Sequence, residues 1–227
     1  VDNSTVYSGL SFVEAVTEHK KNTYIIVENI TTGDAVFKYS DYADVMVLNF
    51  ASYKKPGGMF LEGSMAQEEA ICHESILYNV LKEFQAYYDL NKKNLNKALY
   101  LNRAIFSKDI RFQRVSPTHD TVIKAYANVL TCAAPNKGTA QKYQHLSDEE
   151  CNTCMADRID FILRIAAAND QKTLILGAYG CGVFGNDAKD VAEMFKKALD
   201  TTFKNTFETV IFAIPGNIND YNYKAFN

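Results

Sequence analysis

The sequence predicts an α/β domain with helices on both faces of a sheet. Apolar runs of strand length alternate with amphipathic helical stretches, most regularly in the second half of the chain. Val45–Phe50 (VMVLNF) is apolar almost throughout, which suits a strand covered on both faces. No internal repeat, low-complexity segment or interdomain linker interrupts the pattern, and 227 residues fit one domain. We expect a single domain over 1–227, with residues 1–22 forming a helical extension.

Residues 9–20 read as a short helix with Phe12, Val13, Ala15 and Val16 on its apolar side, and 23–27 as a β-branched and aromatic strand. Residues 31–42 read as irregular, with a turn at Gly33-Asp34. After the Val45–Phe50 strand, Ile76, Leu77, Val80, Leu81 and Phe84 recur at helical spacing and predict one helix running from Ala70. Residues 87–97 are polar and read as a loop or frayed helix end. Residues 98–106 and 110–115 suggest two strands separated by Ser107-Lys108-Asp109, and 121–132 a third, followed by a polar loop at 136–145. Ser147 with Glu150 three residues on forms a capping box for the next helix. Strands at 173–176 and 209–214 flank a helix capped by Asn186 or Asp187, with Val191, Met194, Phe195, Ala198 and Leu199 facing the core.

Composition narrows the function classes. Net charge is −3, whereas a broadly electrostatic nucleic-acid binder is usually basic. No apolar run approaches the roughly 20 residues that span a bilayer, and the start lacks a signal-peptide pattern. The five cysteines are an odd number, which points to reduced thiols and a cytoplasmic location rather than a disulfide framework. Cys151-Asn152-Thr153-Cys154 lacks the second pair that a zinc site requires, so it reads as two thiols on the first turns of a helix. No metal site and no cofactor are expected.

Two glycine loops and one acidic pair carry the chemistry. Gly180-x-Gly182-x-x-Gly185 lies between a strand and a helix. One strand remains after it, and TVIFAIP does not end in the acid that would hold a ribose, which argues against a Rossmann start. Glycines before a helix N-terminus can still cradle a diphosphate; a tight structural turn is the plainer alternative. Lys54-Lys55-Pro56-Gly57-Gly58 is a second place where backbone can approach a ligand, or a plain turn. Gln67-Glu68-Glu69 opens a helix. Adjacent residues point about 100° apart there, so the two acids serve different atoms. One can act on a reacting bond while the other holds a hydroxyl; solvated, dipole-favoured acids are the ordinary alternative. The dipole favours ionised carboxylates, whereas a general acid needs a raised pKa, so burial or a bound phosphate has to oppose it. His73 reads as a helix-surface residue and Cys181 as a small residue that fits its loop.

Together these motifs resemble the microbial, bacterial-type poly(ADP-ribose) glycohydrolases, whose fold is a macrodomain. That family's signature is a triple glycine, six to eight residues, then Gln-Glu-Glu; here Gly57-Gly58-Met59 precedes Gln67-Glu68-Glu69 by seven residues. Leu48–Ser52, Phe60-Leu61, Ala134-Pro135-Asn136 and the block from Leu176 to Asp187 match as well, and the resemblance runs from about Thr23 to Phe226. It implies a macrodomain-like mixed sheet between helices, and exo-hydrolysis of the ribose–ribose bond of poly(ADP-ribose). Glu69 would be the catalytic acid/base, while Glu68 and Asn49 would hold the distal ribose. Gly57, Gly58 and Gln67 would shape the loop around that ribose. Gly177, Ala178, Gly180, Cys181, Gly182, Val183 and Phe184 would bind the ligand; of these, Gly180 to Phe184 would wrap its diphosphate, with Phe184 against the sugar.

The implied partners are ADP-ribose, poly(ADP-ribose) or ADP-ribosylated macromolecules, with no membrane and no sequence-specific nucleic acid, acting on a monomer. Removal of single ADP-ribose units and non-catalytic ADP-ribose binding are the alternatives, and a dinucleotide-dependent oxidoreductase is a more distant one. Met59 replaces the family's third glycine. A left-handed backbone there would cost about 1–2 kcal/mol. Tyr223 and Phe226 are candidates for gripping adenine or for packing.

Overall fold

The structure, a computed structural model, describes residues 3–9, 22–116, 118 and 121–227. Seven strands build one mixed sheet: β1 (Ser4–Ser8), β2 (Tyr24–Glu28), β3 (Val45–Phe50), β4 (Arg103–Val115), β5 (Val122–Cys132), β6 (Thr173–Leu176) and β7 (Thr209–Ala213). Their order is β1-β4-β5-β3-β6-β7-β2. Pairing is antiparallel for β1–β4 and β4–β5, and parallel for β5–β3, β3–β6, β6–β7 and β7–β2. The helices are α1 (Thr32–Tyr39), α2 (Gln67–His73), α3 (Leu77–Leu81), α4 (Gln85–Lys93), α5 (Lys137–Gln144), α6 (Asp148–Ala168), α7 (Ala188–Asp200) and α8 (Tyr221–Phe226).

The side-chain period of two along β3 divides the core. Met46 and Leu48 pack with Ile162 of α6 and Phe195 of α7, whereas Val45 and Val47 pack with Val36 of α1, Ile71 of α2 and Leu77 of α3. Burying each of these large apolar side chains contributes about 1.5–3 kcal/mol. The expected sandwich is therefore present, with α6–α7 on one face and α1–α4 on the other. Among the described residues no helix is long and apolar enough to cross a membrane.

Strands β3 and β6 occupy the expected residues, and the Ser147–Glu150 capping box forms in full at the start of α6. Asp187, not Asn186, caps α7. Several expectations are corrected. Ser4–Ser8 is an edge strand on β4, not part of a helical extension; the rest of the helix expected at 9–20 lies outside the described residues. The segment at 31–42 contains α1, because the Thr31 side chain accepts the Asp34 N–H and Ala35, Val36 and Tyr39 are buried. The single helix expected from Ala70 breaks between α2 and α3, where the Ile76 N–H bonds Arg111 O and Ser75 bridges Phe112. Residues 85–93 are helical, with Tyr87, Tyr88 and Asn91 buried. The two strands expected around Ser107–Asp109 are one strand with a register shift there. The loop at 136–145 is mostly α5, capped by Asn136, whose side chain accepts the Thr139 N–H. The tail carries α8, whose Phe226 ring packs on Phe212 with centroids 5.1 Å apart.

Candidate active site

The carboxyl ends of the parallel strands create the site. β5 pairs with β3 as far as Phe50↔Cys132, but β6 leaves β3 after Val47↔Ile175. The split between β3 and β6 is where α/β sheets open a ligand crevice. A cavity of about 380 Å³ lies there, walled by Phe50 at the end of β3, Ala134 after β5, Ala178, Gly180, Gly182, Val183 and Phe184 after β6, and Ala213, Ile214 and Pro215 at the end of β7. Thr32, Ala66, Gln67 and Asn222 complete the lining.

Helix α2 is tied to the open edge of β3 by its first side chain. Gln67 Oε1 accepts the Phe50 N–H at 2.8 Å, while Gln67 Nε2 donates to Leu48 O at 2.9 Å and to Thr32 Oγ1 at 3.2 Å. This fixes the first turn of α2, and with it the two acids, against β3. Glu68 is 3% exposed. Its Oε2 accepts the Ser52 N–H at 2.6 Å and its Oε1 accepts Asn49 Nδ2 at 3.1 Å. Asn49, fully buried, also donates to Thr131 Oγ1 at 3.2 Å, its register partner on β5. Asn49 Oδ1 is buried with no hydrogen-bond partner among the described residues.

Glu69 takes a different donor. Its Oε1 accepts the Met59 N–H at 2.9 Å, and it is 7% exposed. The two acids thus have separate hydrogen-bond partners, although both carboxylates face Gly58. Burial pushes Glu68 up to about 8, with the Glu69 charge adding to the rise; the N–H groups of Ser52 and Gly57 and the amide of Asn49 oppose it. The raised carboxyl is thus the one the resemblance assigns to ribose binding.

The first glycine loop lies over both carboxylates. Gly57 and Gly58 take φ of +66° and +59°. A Cβ on Gly58 would stand 2.4 Å from Glu69 Oε1 and 3.2 Å from Glu68 Oε2, and one on Gly57 would meet the Tyr78 ring at 2.8 Å. Phe60 anchors the loop by packing on Tyr78 and His73, with ring centroids 4.8 and 4.6 Å away. Met59 has φ −106°, so its side chain imposes no left-handed strain. The backbone at this position therefore accepts a methionine side chain.

The second loop differs from its expectation in one respect. The N-terminus of α7 is occupied by its own Asp187 carboxylate, which accepts the N–H groups of Lys189 and Asp190 and the Tyr221 hydroxyl. The first N–H groups of α7 are therefore already satisfied from within the chain. The N–H groups of Gly182, Val183 and Phe184 donate to no protein atom among the described residues. A Cβ on Gly182 would meet nothing, and Val183 is 94% exposed. Gly180, at φ +74°, is held close to Ala134 and Met155, and Asn186 Nδ2 stitches the loop down by donating to Pro135 O and Gly180 O at 2.9 and 3.0 Å. Phe184 packs against Tyr53, Tyr100 and Ala133. Gly177 is buried, and a Cβ there would stand 2.7 Å from Ala213 O. Burial pushes the Cys181 thiol up to about 12, which leaves it a neutral packing group.

Seven of the expected residues do not line the cavity: Asn49, Gly57, Gly58, Glu68, Glu69, Gly177 and Cys181. Each neighbours a lining residue in the chain or is bonded or close to another of the seven. The wall contributed by Thr32, Ala213, Ile214, Pro215 and Asn222 was missed; the one available signal was that Ala213–Pro215 end a strand. Of the tail residues, Asn222 reaches the cavity, not Tyr223 or Phe226. Cys151 and Cys154 sit on the first turns of α6 as free thiols, and among the described residues no group of three metal-ligating side chains occurs.

A family model for the catalytic domain of microbial-type poly(ADP-ribose) glycohydrolase (PARG) matches residues 1–115. No curated protein sequence matches. Among solved structures, the Deinococcus radiodurans enzyme in complex with ADP-ribose is 31% identical with a TM-score of 0.88, over 99% of this chain and 93% of that one. The Thermomonospora curvata enzyme is 30% identical with a TM-score of 0.88, over 100% and 85%. Its complex with the inhibitor ADP-HPD is 30% identical with a TM-score of 0.86, over 100% and 84%. On this evidence the macrodomain-like α/β sandwich described above belongs to the microbial-type poly(ADP-ribose) glycohydrolase family.

Proposed function

We propose that this poly(ADP-ribose) glycohydrolase works from the chain end, with Glu69 as its general acid and base. The carrying observation is the pair of buried carboxylates on the first turn of α2, held under Gly58 beside the end of β3, where β6 diverges from it. A terminal ADP-ribose unit fills the cavity, its diphosphate on the N–H groups of Gly182, Val183 and Phe184. Its distal ribose meets Glu68 and the unpartnered Oδ1 of Asn49. A neutral Glu68 can donate to one ribose hydroxyl as well as accept, and it places no like charge against Glu69.

Cleavage then needs two proton transfers through one carboxyl group. Glu69 donates to the glycosidic oxygen as the bond from the anomeric carbon breaks, and the leaving ribose departs as a free hydroxyl. The Glu69 carboxylate takes a proton from a water whose oxygen bonds to the oxocarbenium-like anomeric carbon. Support for one functional domain over 1–227 comes from the sheet, which draws β1 and β2 at its two edges from the N-terminal residues and β7 from near the C-terminus.

The test is product analysis on defined substrates. Exo-action predicts monomeric ADP-ribose from the earliest time points on polymer, with no oligomers. Early oligomers would contradict chain-end action. Release from a mono-ADP-ribosylated protein with no cleavage of polymer would favour single-unit removal instead.

A further inference from the structure

Met59 touches Glu69 with its backbone and leaves its side chain in solvent. Its N–H donates to Glu69 Oε1 at 2.9 Å, so its side chain branches from the residue that holds the carboxylate. Yet Met59 is 54% exposed and does not line the cavity. If Glu69 protonates the leaving oxygen, the departing group passes beside this side chain. Leu61 and Met65, on the same loop, are also largely exposed. Singly exposed apolar residues are ordinary, but three within seven residues beside a catalytic carboxylate form a patch.

The loop that carries them is folded rather than loose. Glu62 and Ser64 both donate their N–H groups to Met59 O, at 3.1 and 3.2 Å, and Phe60 is anchored on Tyr78. The same loop opens with two lysines, Lys54 and Lys55, in a chain of net charge −3. Gly58 N–H donates to Lys55 O at 3.2 Å, which closes a turn between the lysines and Met59. Lys55 makes a long 3.7 Å pair with Glu62, and Lys54 has no ion-pair partner among the described residues.

We propose that Met59, Leu61 and Lys54 form a subsite for the leaving unit, an adenosine with its diphosphate. This inference rests on the function proposed above. A ribose–ribose bond breaks to give a ribose hydroxyl that carries a flat base and an anionic diphosphate. A thioether packs well on such a ring, and an unpaired ammonium suits the phosphates. The subsite makes the enzyme prefer a nucleoside leaving group over a small one.

The experiment compares poly(ADP-ribose) with ADP-ribose joined at the same anomeric carbon to a simple alcohol. For wild type, Met59→Gly and Met59→Ala, the quantity read is the ratio of kcat/KM on polymer to kcat/KM on the small glycoside. Loss of a thioether–ring contact lowers that ratio up to about tenfold in both variants, mostly through KM on polymer. Lys54→Gln lowers it as well, and flattens its dependence on salt. An unchanged or higher ratio in Met59→Ala overturns the subsite, as does a fall confined to Met59→Gly, which would trace to loop flexibility. Wild type that cleaves neither substrate contradicts the proposed function itself.

Discussion

Gln67 stands in for a missing strand: its amide accepts the Phe50 N–H at 2.8 Å and donates to Leu48 O at 2.9 Å. β6 pairs with β3 no further than Val47, so those two groups would otherwise face the crevice unpaired. Gln67→Ala leaves them without partners, at about 1–3 kcal/mol for each buried group. It also frees the first turn of α2 to tilt. We expect a lower denaturation midpoint and a drop in kcat of more than tenfold, read from urea titration and steady-state kinetics. Unchanged kcat would contradict the role of this amide in holding the acids.

Gly58 leaves no room for a side chain. Gly58→Ala sets a methyl 2.4 Å from Glu69 Oε1 on a backbone at φ +59°. The left-handed conformation costs about 1–2 kcal/mol, and displacement of a reacting carboxylate by an ångström costs on the order of 100-fold in rate. Activity of Gly58→Ala within threefold of wild type would show that the carboxylate is not where the chemistry occurs.

The raised pKa of Glu68 makes stability depend on pH. Its folded value near 8 exceeds the ordinary 4.5, so between those limits the folded state binds more protons than the unfolded one. The contribution of this carboxyl to stability is full below about 4.5 and is lost as pH rises through 8, by up to about 1.4 kcal/mol per pH unit. Wild type should therefore lose stability relative to Glu68→Gln between pH 5 and pH 8.5, as measured by thermal midpoints. Parallel curves would contradict the assignment.

Arg158 is fully buried, and no carboxylate pairs with it among the described residues. It donates to Asn102 Oδ1 at 2.6 Å, to Leu99 O and Tyr100 O at 3.2 Å, and to Ala133 O. Tyr100 and Ala133 in turn support Phe184. Arg158→Met orphans several carbonyls and should cost on the order of 3 kcal/mol. ADP-ribose affinity should fall with it as the Phe184 wall loosens, which calorimetry would detect.

Local signals were legible where the cause was local. The apolar runs of β3 and β6 and the Ser147–Glu150 box needed no distant partner. α1 escaped notice because Gly33-Asp34 resembles a turn until Thr31 is seen capping it over buried Val36. The break between α2 and α3 depends on Arg111, more than 30 residues away in sequence, whose carbonyl takes the Ile76 N–H. In the site, the motif residues were readable, but the roles of some were not. Gln67 acts on the β3 edge as well as on the cavity, and Asp187 caps the N-terminus of α7 with its own carboxylate. The Ala213–Pro215 wall joins the site only through strand order.

The account turns on Glu69 as the group that moves the proton. The most direct measurement is kcat of Glu69→Gln on poly(ADP-ribose), taken alongside its affinity for ADP-ribose by calorimetry. Gln can still accept the Met59 N–H but cannot serve as an acid. We predict that turnover falls by at least about 100-fold while binding stays within a few-fold of wild type. Turnover close to that of wild type would contradict the account.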